Sequence, residues 1–519
     1  MPLFWFTSRF LLQFGMTTRR IVAKRPSPRQ WPIVGSVRAE GLPLLLLLLL
    51  TLLLTWPTAI TLATHVVDRQ DPLLNAWIMA WEARQILLDP LHLYDANIFF
   101  PLRNTLAFSE ILLSTSALVM PLQWFTGDAL LSYNVAFLLA FFTTALGAYL
   151  LALYLTGRRW AALVAGVAFA WSPLRIGQIS QLQLLTFGWL PLALIYLDRL
   201  LRPTSNVQNR VPRMGESGAR YGRIGCPGAN PKWLKEGFLL GFFLLLQALA
   251  SFYAALFSVV ACVVYVGGWV VWKRRLPAPA LAGGILAALL VLAGVIPFAL
   301  PYFEVQRTLG AGWTLQQNEL FSASLQAYAY APEGTRLWGP VTRPLHYIYG
   351  PCCPPSTLFP GLTVLLLAGV AVWRGGGRRP LWVALALVGF FLSLGPTLTI
   401  RAGEPTGIAL PYRWLWAHGP GFSAIRAPVR WAVLVTLALS VLAAIGVARL
   451  RWKGAALVAL VLVVVEFAVV PLRVVPAPSP PASLAWLDAQ PPTRVVELPL
   501  VAERPRPAAP PDEPRRAWE

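Results

Sequence analysis

The fold class this sequence predicts is an all-α polytopic membrane protein with about eleven transmembrane helices, and three observations predict it. Only 13% of its 519 residues are charged, about half the share of an ordinary soluble domain, and the mean hydropathy is +0.60. Apolar runs recur from Leu42 to Leu472, separated by short and mostly basic breaks. The lysines and arginines sit in those breaks rather than in one basic domain. A soluble chain of this length would instead divide into several cores joined by polar linkers.

The net charge of +21 raises the question of nucleic acid, because basic patches release counterions from phosphate backbones. Basic residues also accumulate in the cytoplasmic loops of membrane proteins. Their scatter between apolar runs selects the topological reading, and no nucleic-acid partner is expected.

The first run is Leu42–Ala63, preceded by Arg19, Arg20, Lys24, Arg25, Arg29 and Arg38. It is too long for a signal-peptide core and no small-residue cleavage site follows it, so it reads as a retained span with a cytoplasmic N-terminus. Further runs lie near 130–156, 160–172, 183–201, 237–250, 252–272, 279–301, 357–373, 381–399, 429–448 and 455–472. If each crosses once, the clusters Arg158–Arg159, 202–235, Lys273–Arg275, Arg374–Arg379 and Arg449–Lys453 all fall on the cytoplasmic side. The break at Ser251-Phe252-Tyr253 keeps this parity. Counting Leu106–Phe125 as a span would invert it. That segment holds Ser109, Glu110, Ser114, Thr115, Ser116 and Gln123, and reads as an outer-face helix or a re-entrant segment.

The resulting organisation is a basic cytoplasmic segment (1–41), a membrane domain (42–472) and a Pro-rich extracytoplasmic tail (473–519). The outer loops are 64–129, 302–356 and 400–428; the 202–235 loop is basic, cytoplasmic, and suited to anionic headgroups. In the tail, Val475–Pro481 reads as a linker and Ser483–Leu500 as a short helix with a strand at Arg494–Leu500, the stub of a soluble domain. Cys226, Cys262, Cys352 and Cys353 lack zinc-ligand spacing; the adjacent pair reads as small loop residues or as a vicinal disulfide.

Chemistry concentrates on the outer side. Asp68, Asp71, Glu82, Asp89, Asp95 and Glu110 lie in the first outer loop, and His65, His92, His346 and His418 all fall in outer loops. The third outer loop carries Arg401, Arg413 and Arg426, and Arg430 opens the next span. Carboxylates on one loop and arginines on another suit a phosphate-bearing substrate held beside a general base. Pro72 suits a helix's first turn, and Asp71 can cap that helix or serve as the base. Leu73, Leu74, Trp77, Ile78, Trp81 and Leu88 then form an apolar face, as in a helix lying at a membrane interface. Glu466, inside the last run, is either a functional intramembrane acid or a wetted structural one.

Several words of the sequence resemble the GT-C superfamily of membrane glycosyltransferases, and most closely its bacterial polytopic branch. They are Asp71-Pro-Leu-Leu-Asn75-Ala-Trp77, Asp89-Pro-Leu-His92, Ala96-Asn97-Ile98-Phe99-Phe100-Pro101, Thr105-Leu-Ala-Phe-Ser-Glu110, Trp189-Leu-Pro-Leu-Ala, Phe359-Pro-Gly361-Leu and Phe422-Ser-Ala-Ile-Arg426-Ala-Pro-Val-Arg430. The resemblance implies a GT-C-like fold and inverting transfer of a sugar from a polyprenyl-phosphate or diphosphate donor. The acceptor would be a glycan, lipid or protein at the outer face of the cytoplasmic membrane. It gives Asp71 the role of base, Asp68 or Glu110 that of second carboxylate, and Arg426 and Arg430 the donor phosphate. Asn75, His92, Asn97 and Gln181 fall in the loops that would hold donor and acceptor. Some members use a divalent metal, Mg or Mn, for which this sequence offers no assigned ligands. Relatives often carry His where this chain has Gln178 or Gln181, a difference that bears on activity and acceptor choice. Two other classes compete: a flippase or transporter of lipid-linked saccharide, and a noncatalytic scaffold. The transporter class favours mid-membrane acids and internal repeats, and the acids here cluster in a loop.

The orientation is checked by reporter fusions. Those after Arg275 and Gly376 should read cytoplasmic, and those after Gln316 and Gly403 external; an external reading at Arg275 would overturn the parity.

Overall fold

A computed structural model of the chain describes residues 37–202, 232–310, 312–345, 357–374, 377–401, 404–452 and 454–479, with 486–487, 489–491 and 495 beyond them. The basic residues through Arg29, Cys226 with most of its loop, His346, Cys352–Cys353 and most of the 483–500 segment lie outside the described residues.

Helices dominate because the apolar runs leave the backbone no water to bond with, and a helix satisfies its own N–H and C=O groups. The first run forms α1 (Val37–Leu54) and ends well before Ala63, at Trp56-Pro57 and a 3-10 turn over Thr58–Ile60. The first loop then builds β1 (His65–Val66), α2 (Asp71–Leu88), a 3-10 turn at Thr105–Phe108 and α3 (Leu113–Thr126). A central group follows: α4 (Ala129–Thr156), α5 (Arg159–Ala170), α6 (Pro173–Gly177), α7 (Leu182–Leu185) and α8 (Trp189–Leu201). Next come α9 (Lys232–Ala250), α10 (Phe252–Lys273) and α11 (Ala278–Leu309). Short helices α12 (Leu315–Leu320) and α13 (Trp338–Thr342) lie in the following loop, before α14 (Leu362–Trp373) and α15 (Arg379–Ser393). A hairpin of β2 (Thr397–Arg401) and β3 (Glu404–Ala409) leads to α16 (Pro411–His418), α17 (Ala432–Val447), α18 (Ala455–Phe467) and β4 (Val475–Pro476).

Among the described residues, seven helical stretches are long and apolar enough to cross a membrane: α4, α5 with α6, α7 with α8, α9, α10, α11 and Pro428–Val447. Four shorter apolar helices, α1, α14, α15 and α18, accompany them. Two further runs depart from the expected helices. The 381–399 run leaves the helix at Ser393, where Gly395 (φ +70°) and Pro396 turn the chain into β2. The 183–201 run is interrupted between Leu185 and Trp189. The expected break at Ser251 is present: α9 ends at Ala250, and the Ser251 hydroxyl caps α10 by accepting the Ala254 N–H.

α17 is buried along nearly all its length and packs against α14, α15, α5 and α4. α11 packs mainly on α9 and leaves most of its apolar surface outward, as a lipid-facing helix does. The basic clusters gather at one end of the bundle: Arg159 pairs with Glu40, Arg378 with Asp198, and Arg374 reaches the Arg449 carbonyl. The first loop lies at the other end. There β1 pairs antiparallel with β4, so the segment expected to be only a linker returns to the acidic loop, and Arg69 Nε donates to the Pro476 carbonyl at 3.0 Å.

Small residues set a close crossing between α4 and the start of α8. A Cβ on Gly188 would stand 2.6 Å from the Thr143 carbonyl oxygen, and one on Gly147 would strike the Gly188 carbonyl. Gly188→Ala should therefore cost about 1–3 kcal/mol and lower the melting midpoint in detergent, as overpacking does. Gly267, whose Cβ would meet open space, should tolerate alanine without loss. Equal midpoints for the two variants would show that this crossing yields freely.

Candidate functional site

α2 opens the site. Its N-cap is Gln70, Asp71 is its first residue, and no side-chain bond caps it. The backbone N–H of Gln70 goes instead to Asp68 Oδ1, at 3.0 Å. Asp71 is thus not the expected cap. It is half-buried, and no hydrogen bond engages its carboxylate among the described residues.

The face of α2 turned into the protein is only partly the apolar face read from the sequence. It comprises Pro72, Asn75, Ala76, Ile78, Met79, Glu82 and Ala83, while Leu74 and Leu88 point outward and Leu73, Trp77 and Trp81 sit at the margin. Two polar residues therefore face the core. Asn75 is 4% exposed, and among the described residues its Nδ2 has no partner. It lies one turn after Asp71 on the same side of the helix. The fully buried Tyr133 hydroxyl also has no hydrogen-bond partner among the described residues and feels the charges of Asp71 and Asp68. This polar setting of Asp71 escaped sequence reading, because Tyr133 opens an apolar helix and looks like core.

The segment between α6 and α7 links the loops. Ser180 Oγ donates to Asp68 Oδ2 at 3.2 Å, and Gln181 Oε1 accepts from Arg430 Nη2 at 3.0 Å. Arg430 also lies 4.9 Å over the Tyr253 ring and faces the Glu110 carboxylate. Glu110 accepts the Phe252 N–H at 3.0 Å and bonds the Ser251 hydroxyl. Burial pushes the Glu110 carboxyl above its ordinary value, opposed by those two donors and by the Arg430 charge. Asp68, Gln181, Arg430 and Glu110 thus form one polar seam, with Glu110 serving the α9–α10 break.

The segment is positioned by Arg175, which is 1% exposed. Its guanidinium donates to the carbonyls of Ala170 (2.9 Å), Leu184 (3.2 Å) and Leu185, and to Thr144 Oγ1 (3.3 Å), between the rings of Phe141 and Phe169. Its only signal in the sequence was a charge beside Pro173.

Other expected residues stand apart. His92 Nδ1 pairs with Asp89 Oδ2 at 2.8 Å on an exposed turn, and Asn97 is exposed. Arg426 and Arg430 are not one helical pair, since Pro428–Trp431 is a 3-10 turn that separates them. Arg426 is exposed and stacks on Trp313 and Phe321, at 4.9 and 4.3 Å. Gln178 closes α6, its backbone N–H bonding the Arg175 carbonyl. Glu466 is structural: it accepts the Thr363 N–H and hydroxyl, at 3.0 and 2.8 Å, at the start of α14. Among the described residues no group of three His, Cys, Asp or Glu could hold a metal ion, so they do not fit a Mg or Mn site.

The chain matches no family model, no curated protein and no solved structure.

Glu82 deserves a measurement of its own. Fully buried, it accepts the Leu112 N–H at 3.3 Å and the Ser116 hydroxyl, joining α2 to α3. Burial pushes its carboxyl from 4.5 up to about 7, against the pull of those two donors. Below pH 4.5 both folded and unfolded states hold the proton; between 4.5 and 7 unfolding releases it, so stability falls as pH rises. Above 7 the loss levels off at about 3 kcal/mol. Glu82→Gln should flatten this dependence and raise the melting midpoint at pH 8. A midpoint that falls equally with pH in both proteins would assign the slope elsewhere.

Proposed function

We propose that the chain is a GT-C-like membrane glycosyltransferase, crossing the membrane eleven times with its acidic first loop outside. The eleven apolar helices, taken as single crossings, put the basic clusters on one side and the Asp71 seam on the other, which supports this topology. The observation that carries the functional reading is the seam: an acidic loop and an arginine loop, far apart in sequence, meet on Ser180 and Gln181. The substrate is a sugar on polyprenyl phosphate or diphosphate, and the acceptor a glycan, lipid or protein hydroxyl.

Transfer is a substitution at the anomeric carbon. Asp71, with its carboxylate unspent, takes the proton as the acceptor oxygen forms its bond to C1; the base must lie within about 3 Å of that hydroxyl. The C1–O bond to phosphate breaks on the opposite face, inverting the centre, and both electrons leave with the phosphate. Its negative charge is met by Arg430, and by Arg426 nearer the solvent. Asp68 is held by Ser180 and Gln70 and acts as a positioning group beside the base. Glu110 has its donors already and holds α10 in place. At Gln181 a neutral amide holds Arg430 at any pH.

Asp71→Asn keeps size and removes the base. Incorporation of labelled sugar from the lipid donor should fall by about 10²–10⁴-fold. Because Asp71 caps nothing, the melting midpoint should stay at the wild-type value. Transfer persisting within a few-fold would move the base to Asp68. Donor-independent movement of lipid-linked saccharide across vesicles, with no transfer at all, would favour a flippase.

A further inference from the structure

At the end of the bundle away from Asp71, four cations share one cavity. Arg202, Lys273, Arg275 and Arg378 line a space of about 490 Å³ that Trp269 and Trp272 help to wall. α10 links this end to the seam, since Phe252 bonds Glu110 and Lys273 lies 21 residues further along the helix. At 1.5 Å per residue the separation is about 30 Å, the thickness of a bilayer's hydrocarbon core. The cavity therefore cannot belong to the site described above.

Its arginines are held in advance. Asp198 is 1% exposed and accepts four bonds. Its Oδ2 takes the Tyr154 hydroxyl at 2.6 Å and Arg202 Nε at 2.9 Å, and its Oδ1 takes the Tyr265 hydroxyl at 2.9 Å and Arg378 Nε at 2.7 Å. Each guanidinium thus spends its Nε on Asp198, and among the described residues its Nη groups have no acceptor. Four cations against one carboxylate leave the cavity strongly positive. Lys273, 3.9 Å over the Trp272 ring, and Arg275 have no acidic partner among the described residues. Beside this mouth, Val271, Leu276 and Leu281 stand outward at 71%, 42% and 56% exposure, an apolar strip continuous with the helix surface.

We propose that this cavity binds the phosphate headgroup of an anionic phospholipid, with Arg202 and Arg378 oriented by Asp198 and the acyl chains lying on the Val271–Leu281 strip. Spare guanidinium donors grip phosphate oxygens in parallel pairs, which an ammonium alone does not. The apolar strip selects a lipid over a soluble phosphate, which would gain nothing from it.

The test uses the purified full-length chain, titrated in detergent with phosphatidylglycerol or phosphatidylcholine and read by melting midpoint and by native mass spectrometry of bound lipid. Phosphatidylglycerol should bind and raise the midpoint, and phosphatidylcholine should not. The double variant Lys273→Gln with Arg275→Gln changes only exposed side chains, and should lose about thirtyfold in affinity for phosphatidylglycerol. Arg158→Gln, an exposed cation off the cavity, should bind as wild type does. Three results would overturn the proposal: undiminished binding in the double variant, an equal loss in Arg158→Gln, or an equal midpoint rise with inorganic phosphate at matched concentration.

Discussion

The constraint on which this structure depends is that a backbone group inside an apolar bundle cannot turn to water when its helix is interrupted. Three breaks in the apolar helices are accordingly met by buried polar side chains. Between α5 and α8, Arg175 takes three carbonyls, and Thr144 Oγ1 receives the Phe187 N–H at 3.3 Å. Gln247, reaching across from α9, bonds the Thr186 carbonyl at 2.6 Å and the Leu190 N–H at 3.0 Å. Glu110 serves the start of α10, and Glu466 the start of α14. An unsatisfied group in such surroundings costs several kcal/mol, so these side chains fix where the chain is able to bend.

The breaks are also where the seam forms. Ser180 and Gln181 are exposed to the loops only because α6 and α7 are short pieces rather than one helix. Tyr253 meets Arg430 because α10 begins anew at Phe252. The same polar groups that let the helices stop also carry loop residues into contact across more than two hundred positions of sequence, as Gln181 and Arg430 show. Structural economy and the proposed chemistry share one set of residues at Glu110, which holds α10 and faces Arg430 at once.

Much of this was legible from the sequence. The hydropathy runs located the seven long apolar stretches and the four shorter apolar helices among the described residues, and the parity of the basic clusters asked for the break at Ser251. Run ends were less legible where apolar residues continue past a turn, as at Leu54 and Ser393, since hydropathy does not register a change from helix to turn or strand. Leu74 and Leu88 were read as part of an apolar face at a membrane interface and stand outward, while tertiary packing against α3 buries the face with Asn75 and Glu82. No periodicity rule anticipates that choice, because Glu82 becomes tolerable inside only once Ser116 and the Leu112 N–H arrive from another helix. Asp68 and Gln181 were named as candidates, but their link to Arg430 is a three-dimensional fact with no local signal.

The arginines show how a buried charge is told apart from a binding one. Arg175 gives four of its five N–H groups to three carbonyls and a hydroxyl and is sealed among aromatic rings, so it presents nothing to a ligand. Arg430 gives one N–H to a neutral amide and rests its plane on Tyr253, which leaves further donors and a full charge only partly offset by Glu110. Arg426 makes only aromatic contacts among the described residues, at the exposed edge of the same region. A guanidinium carries five N–H groups in a rigid fork. What the fold leaves unused of that fork, rather than the charge itself, separates a residue that fixes the chain from one able to receive a phosphate. By that measure spare donors lie beside Asp68 and Glu110, where Asp71 keeps an unspent carboxylate, and again at Arg202 and Arg378 at the opposite end of the bundle.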